Sequence, residues 1–454
     1  MPNRRVLSAL MFFPRGGSAH VARSLARALP AHGWDVQILS GSRSDQDGRG
    51  DARRFYAGLN PHVVDFTHAL RSPDPLRARI PMHPSFEDRR DAPDPVMASL
   101  DDETYERQVL SWERALLAAD VHAADVLHLH HLTPINEAAA RVAAHVPVVG
   151  HLHGTELLML EAIEDGAGWP YADAWAERMR GWAARCDRIV LLSESAEERA
   201  ERLLGVDPDR CLVLSNGFDP DVFRPRDVDR AAHWRRHLVE EPQGWRAGDG
   251  PGSLSYSGED IERIAGSTVL LSVGRFTAVK RTPLLIEAFA AARERFRSPA
   301  SLVVVGGHPS EWEDEHPAET AERLGVRDVF LAGWHEHDEL PGFMNASDVL
   351  ALASVREQFG QVLVEAMACR LPLIAVDRFG PAEIVTDGET GWLVEPDDRE
   401  SLTEAIVAAV NDPGERRRRG AAARRDACDR FSWPALAGRL AETLDGVAAS
   451  SLSR

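Results

Sequence analysis

Apolar runs without polar alternation, each followed by a segment of helical period, recur along almost the whole chain. RVLSALMFF (5–13) leads through the glycine turn PRGGSAH into AHVARSLARALPAHG. There Val21, Leu25 and Leu29 repeat at spacing four, and Pro30 with Gly33 supplies a stop. WDVQILSG follows as a second strand. A strand that is apolar on both sides must be covered on both sides, and parallel strands need crossover helices to do it. The pattern therefore demands α/β architecture with parallel sheets. ADVLHLHHL, VPVVGHLHG, DRIVLLSES and RCLVLSNGF continue the first series. A second begins near Thr268 with TVLLSVGRF, SLVVVGG, VFLAGW, DVLALASV, LPLIAV and GWLVEP.

Two such series in 454 residues predict two doubly wound domains in tandem. The expected division is residues 1–217 with 432–454, an irregular linker or insertion over 218–266, and 267–431. The Pro-rich stretch 72–105 interrupts the first domain as a long loop, of the kind that is functional or mobile.

The net charge of −19 opposes nucleic acid and anionic membrane as principal partners. The arginine run ERRRRGAAARRDACDR (415–430) is accordingly read as a solvated helix, with no peripheral membrane contact expected. Cys186, Cys211, Cys369 and Cys428 form no CxxC unit and read as reduced thiols. The apolar start is too short for a membrane span and lacks a small-x-small cleavage pattern, so a cytoplasmic, soluble protein is expected.

Local positive charge is informative against that acidic background. Lys280, in LLSVGRFTAVKRTP (270–283), is the only lysine of the chain. With Arg275 five residues before it at a strand-to-helix turn, it forms the cationic element a diphosphate needs, although a solvated basic loop reads the same way. In the first domain, Gly16 and Gly17 occupy the corresponding turn and let backbone approach an anion at a helix start; plain turn chemistry explains them equally. REQFGQVLVEAMACRLPLIA (356–375) carries Glu357 before a helix and Glu365 inside it. Glu365 stands among apolar residues and needs a partner, a vicinal diol or a basic side chain.

These segments taken together resemble the retaining glycosyltransferases of family 4. Those enzymes have the GT-B fold: two facing Rossmann-like doubly wound domains with a C-terminal helix crossing back to the first. The resemblance runs through RGGSAHVARSLARALPAHGWDV, HLHGTE, VLSNGFDPDVFRP, VGRFTAVKR, GGHP, FMNASDVLALAS, the two-glutamate segment, GPAEIVTDGETGWLVEPDD and FSWPALAGRL. It implies a nucleotide-diphosphate-sugar donor, of UDP or GDP type, in the second domain and a small polar acceptor in the first. By the same resemblance Arg275 and Lys280 hold the diphosphate, with Gly17 beside it. Glu365 holds the ribose, next to Gln361. Glu357 and the Phe359-Gly360 backbone hold the sugar, His153 faces its reacting carbon, and Gly333-Trp334 lie beside the base. The diphosphate is expected in the crevice between the two lobes. Retention of anomeric configuration by front-face attack is expected. No cofactor is implied, and no metal, although HLHHL and GHLHG place His128, His130, His151 and His153 where strand faces could gather them. A homodimer is compatible with the sequence. An NDP-sugar 2-epimerase and a non-catalytic nucleotide-sugar binder remain the other readings.

Overall fold

A computed structural model describes residues 4–14, 17–45, 50–87, 94–309, 312–357 and 359–451. The chain divides into one unit of Met1–Asn216 with Trp433–Arg454 and a second of Gly217–Ser432.

In the first unit the apolar runs form seven parallel strands: β1 (Arg4–Leu10), β2 (Trp34–Ser42), β3 (His62–Asp65), β4 (Val126–His130), β5 (Val148–His151), β6 (Arg188–Leu191) and β7 (Cys211–Val213). Their order is β3-β2-β1-β4-β5-β6-β7, so the winding reverses between β1 and β4. One face is packed by the Leu7, Ala9, Leu127 and Leu129 side. The other presents Val6, Val126, Val149 and Val190 to the helix Trp433–Ser451, which contributes Leu436, Leu440 and Leu444. The terminal helix thus belongs to the first unit's core, as its FSWPALAGRL start implied.

The Pro-rich stretch departs from expectation. Met82, His83, Met97 and Ala98 are fully buried, and Phe86 and Leu100 nearly so. Ser85 and Val96 pair as an isolated bridge. Apolar residues spaced among the prolines turn this segment into part of the core, because burying them outweighs the lack of regular hydrogen bonding.

The second unit has six parallel strands: β8 (Thr268–Val273), β9 (Ala300–Val305), β10 (Val329–Gly333), β11 (Val349–Leu352), β12 (Leu373–Val376) and β13 (Gly391–Val394). The order β10-β9-β8-β11-β12-β13 reverses between β8 and β11. Residues 218–266, expected as an irregular linker or insertion, group with this unit. They carry the helices Arg230–Arg235 and Gly258–Ala265 and cover the outer edge of β10. Gln243 bridges to Gly333, and the Leu331 amide donates to the Tyr256 hydroxyl at 2.8 Å. An uncovered edge strand would offer unpaired backbone groups to other chains, and this segment satisfies them.

The arginine-rich run lies in the helix Pro413–Phe431 and is not simply solvated. Arg416 donates to the carbonyls of Ala409 and Val410, Arg419 to that of Gly391, and Arg424 to those of Phe223 and Ala368. Guanidinium forks here close off carbonyls at strand and helix ends, where intrahelical partners run out. All four cysteines are free thiols. Among the described residues no helix is long and apolar enough to cross a membrane.

Candidate functional site

Open parallel sheets bind ligands beyond the carboxyl ends of their strands, where the strand order reverses. In the second unit that point is flanked by the loops leaving β8 and β11, and these carry Arg275, Lys280 and Glu357. The β8 loop is held close to its neighbours. Gly306, at φ +119, could accept no side chain, because a Cβ would fall on the carbonyl oxygen of Gly274. The Lys280 stem crosses Gly274, whose own Cβ would lie 3.7 Å from the lysine Cδ and Cε. The loop is tied to the segment after β11 by the Val355 amide, which donates to Val279 at 3.0 Å, and by Ser354 Oγ, which donates to the same oxygen at 3.3 Å.

This tethering brings Lys280 and Glu357 together: the ammonium donates directly to Glu357 Oε2. Their side chains are about four-fifths buried, 20% and 19% exposed, so each charge depends on the other for solvation it has lost. Arg275 is exposed and has no ion-pair partner among the described residues. The adjacent Arg281 is occupied, donating from Nε to Asp397 at 2.6 Å. Among the described residues the basic loop thus presents one cation without an ion-pair partner, one held by a carboxylate, and one consumed structurally.

Gly360, at φ +101, turns the chain into the helix Gln361–Ala368, whose first turn no side chain caps among the described residues. The Leu363 amide closes back onto the Gly360 carbonyl at 2.8 Å, and the helix dipole at this start favours an anion. Gly380 packs directly under Phe359, where a Cβ would strike backbone, and its amide donates to the Glu357 carbonyl at 3.2 Å. One turn into the helix, Glu365 is 2% exposed. It accepts from Gln361 Nε2 at 3.0 Å and faces His337 Nε2 at 2.8 Å. Gln361 also donates to the Gly217 carbonyl at 2.8 Å, which aims its amide. His337 is a site neighbour that the sequence reading missed; the alternating HEHDE following GW was its only local signal.

Gly333 sits at φ +75 at the end of β10, where a Cβ would fall on Gln243 backbone, and Trp334 beyond it is 50% exposed. A large indole left half in water on a strand end offers a flat apolar face to a ring.

In the first unit Gly17 begins the helix Gly17–Ala28. A Cβ there would meet nothing within 4 Å, so internal packing does not require glycine at that position. Gly16 lies outside the described residues. His153 follows β5 and is part of a histidine chain: Ser8 Oγ lies 3.1 Å from His130 Nε2, and His130 Nδ1 lies 2.9 Å from His153 Nε2. His128 Nε2 and His151 Nδ1 are 3.1 Å apart. Burial pushes His128 down to about 4. Burial, with the neighbouring histidines adding to it, holds His130, His151 and His153 well below the ordinary range. The rings are therefore neutral at pH 7. Nitrogens of His128, His130 and His151 also lie within 4.8 Å of one another, close enough to bind a metal ion, as do ligand atoms of His237, His335 and Glu339 in the second unit. The His153 backbone amide donates to Glu156 at 3.1 Å, and His131 Nδ1 lies 2.6 Å from the other oxygen of that buried carboxylate.

Two family profiles match the chain: one described as Glycosyltransferase Family 4 over residues 15–222, and one described as Glycosyl transferases group 1 over residues 259–426. The chain is 30% identical to a D-inositol 3-phosphate glycosyltransferase of Kribbella flavida, over 87% of its own length and 91% of that protein. It is 30% identical to an alpha-maltose-1-phosphate synthase of Mycolicibacterium smegmatis, over 74% of this chain and 84% of that one. Among solved structures, Anabaena Alr3699/HepE in complex with UDP and glucose superposes with a TM-score of 0.64 at 18% identity, covering 98% of this chain and 100% of that one. Sucrose-phosphate synthase from Thermosynechococcus elongatus gives a TM-score of 0.64 at 19% identity, with 98% and 100% covered. These structural likenesses establish the fold.

Proposed function

This chain belongs to the family 4 glycosyltransferases of GT-B fold, and on that premise we propose that its second unit binds a nucleoside-diphosphate hexose for transfer to a small polar acceptor. The observation that carries this reading is the meeting of Arg275, the Lys280–Glu357 pair and the uncapped helix start at Gly360, all at the strand-order reversal.

Departure of the sugar leaves an oxocarbenium-like centre and adds negative charge to the diphosphate. Cationic groups already positioned where that charge grows contribute most to rate. In the proposed cycle the diphosphate takes the Lys280 ammonium from Glu357. The freed carboxylate then accepts from sugar hydroxyls, so one exchange of partners readies both groups. Arg275, which has no ion-pair partner among the described residues, adds the second charge. Glu365, already fixed by Gln361 and His337, is assigned the ribose hydroxyls, and Trp334 with Gly333 the base. Donors of UDP or GDP type fit this assignment.

The first unit is assigned the acceptor, with Gly17 and His153 in the roles that the family resemblance gives them. A neutral His153, its Nε2 engaged with His130, donates or accepts a hydrogen bond without placing a full charge near a positive carbon. The relatives' names include a phosphorylated inositol, which supports a small polar acceptor. We propose retention by front-face attack, the leaving phosphate accepting the acceptor's proton. Calorimetric titration with UDP, GDP and their hexose derivatives tests the donor assignment, and NMR of the product's anomeric proton tests retention. An acceptor-independent change at the sugar's C2 would favour the epimerase reading instead.

A further inference from the structure

The segment covering the edge of β10 brings a second histidine cluster with it. His237 stands on the π-helical turn Arg236–Glu240, directly after the helix Arg230–Arg235. Such turns are rare and concentrate at functional positions. The loop after β10 supplies His335 and Glu339. One ligand atom each of His237, His335 and Glu339 lies within 4.8 Å of the other two.

His335 is held by two hydrogen-bond partners. Its Nε2 lies 3.2 Å from the carbonyl oxygen of Ala332, which can only accept, so Nε2 carries the hydrogen. In the neutral ring Nδ1 is then a lone pair, and it faces Glu339 Oε2 at 3.3 Å. That oxygen is already fixed by the Glu336 amide at 3.1 Å. Two opposed lone pairs require a positive centre, either a second proton on the ring or a cation held by both. A histidine that donates its other N–H to a backbone carbonyl is oriented as metal-binding histidines are, because the hydrogen bond fixes the tautomer and raises ligand basicity. Below the cluster, the buried Phe343 ring lies 4.6 Å from both His237 and His335. Above it, the Glu339 side chain is 37% exposed and leaves a way in. His233, one helical turn before His237 with rings 4.6 Å apart, adds a buried Nε2 that has no hydrogen-bond partner among the described residues.

The geometry points to a divalent transition-metal site formed by His237, His335 and Glu339, of the two-imidazole, one-carboxylate kind that suits Zn²⁺. An ion there joins the 218–266 segment to the loop that begins at Gly333 and Trp334, so its role is to hold that loop in place rather than to act on substrate. The His128, His130 and His151 cluster lacks that feature: its rings face one another and Ser8, and among the described residues no carboxylate opposes one of its ring nitrogens.

The test uses the full chain, free of any affinity tag and stripped with a chelator. Titration with Zn²⁺ is expected to bind one ion per chain and raise Tm. In H335A and E339Q the affinity is expected to fall at least about a hundredfold and the rise in Tm to vanish. Should those variants misfold, Co²⁺ loading of the wild-type chain gives an independent readout through its visible absorption bands. Failure of the wild-type chain to bind Zn²⁺ overturns the proposal. So does undiminished binding in E339Q, or binding lost in H128A but kept in H335A. A doubly protonated His335 ring at pH 7.5, seen by ¹⁵N NMR in Zn²⁺-treated protein, overturns it as well.

Discussion

The chain's single lysine, Lys280, donates to the Glu357 carboxylate across 77 residues of sequence, joining the loops that leave β8 and β11. The two side chains are about four-fifths buried and lie against each other; in the proposed cycle an entering diphosphate takes the lysine from the glutamate.

Replacing Lys280 by alanine is expected to lower kcat on the order of 10²–10³ fold with the fold retained, since it removes charge from where the leaving diphosphate develops it. Steady-state assay and circular dichroism check the two halves of that statement. A variant within threefold of wild type removes Lys280 from the site.

Glu365→Gln preserves volume but loses the charge that His337 and Gln361 address. Charged hydrogen bonds contribute about 1.5–3 kcal/mol, so nucleotide diphosphate should bind about 10–100 fold more weakly while Tm changes little. Calorimetry measures the first and differential scanning the second. Unchanged affinity would separate Glu365 from the ribose.

Acid should destabilise the first unit before most carboxylates titrate. His128 falls from its ordinary 6.5 to about 4 in the folded chain, and His130, His151 and His153 move the same way. A depressed folded pKa means that the unfolded chain binds the extra proton. The stabilisation is therefore complete above about pH 6.5 and is lost as pH falls toward the folded value. Each such ring contributes a slope of about 1.4 kcal/mol per pH unit in that window. Urea midpoints at pH 7.5 and 5 check this, and equal midpoints would contradict neutral buried rings.

The Pro-rich stretch invites replacement by a short flexible linker to change acceptor choice. With Met82, Phe86, Met97 and Leu100 in the core, exchanging 72–100 for Gly/Ser should instead unfold the first unit, because each large apolar truncation costs about 2–5 kcal/mol. A thermal melt decides it. A cooperative transition at the wild-type temperature would return the stretch to the status of a surface loop.

Much of the fold is legible along the chain. Unbroken apolar runs can be buried only as parallel strands beneath helices, and both sheets follow from that. Gly333 and Gly360 were singled out by the family resemblance, and both hold a positive φ that glycine adopts without a Cβ penalty. Three features were not legible. The arginine run looked solvated because sequence does not indicate which carbonyls lie within a guanidinium's reach. His337 was missed because an exposed histidine has no local pattern that ties it to a carboxylate 28 residues away. Residues 218–266 looked irregular because their partner is an edge strand almost a hundred residues later.

Periodicity and turn chemistry are local properties, and on their own they determined two α/β sheets, the order of their elements and the loops that carry charge. Which charges meet was decided only by tertiary structure. Lys280 with Glu357, Glu365 with His337, and His335 with Glu339 depend on strand order and loop approach, and the energy of a buried ion pair or hydrogen bond changes with every ångström of separation.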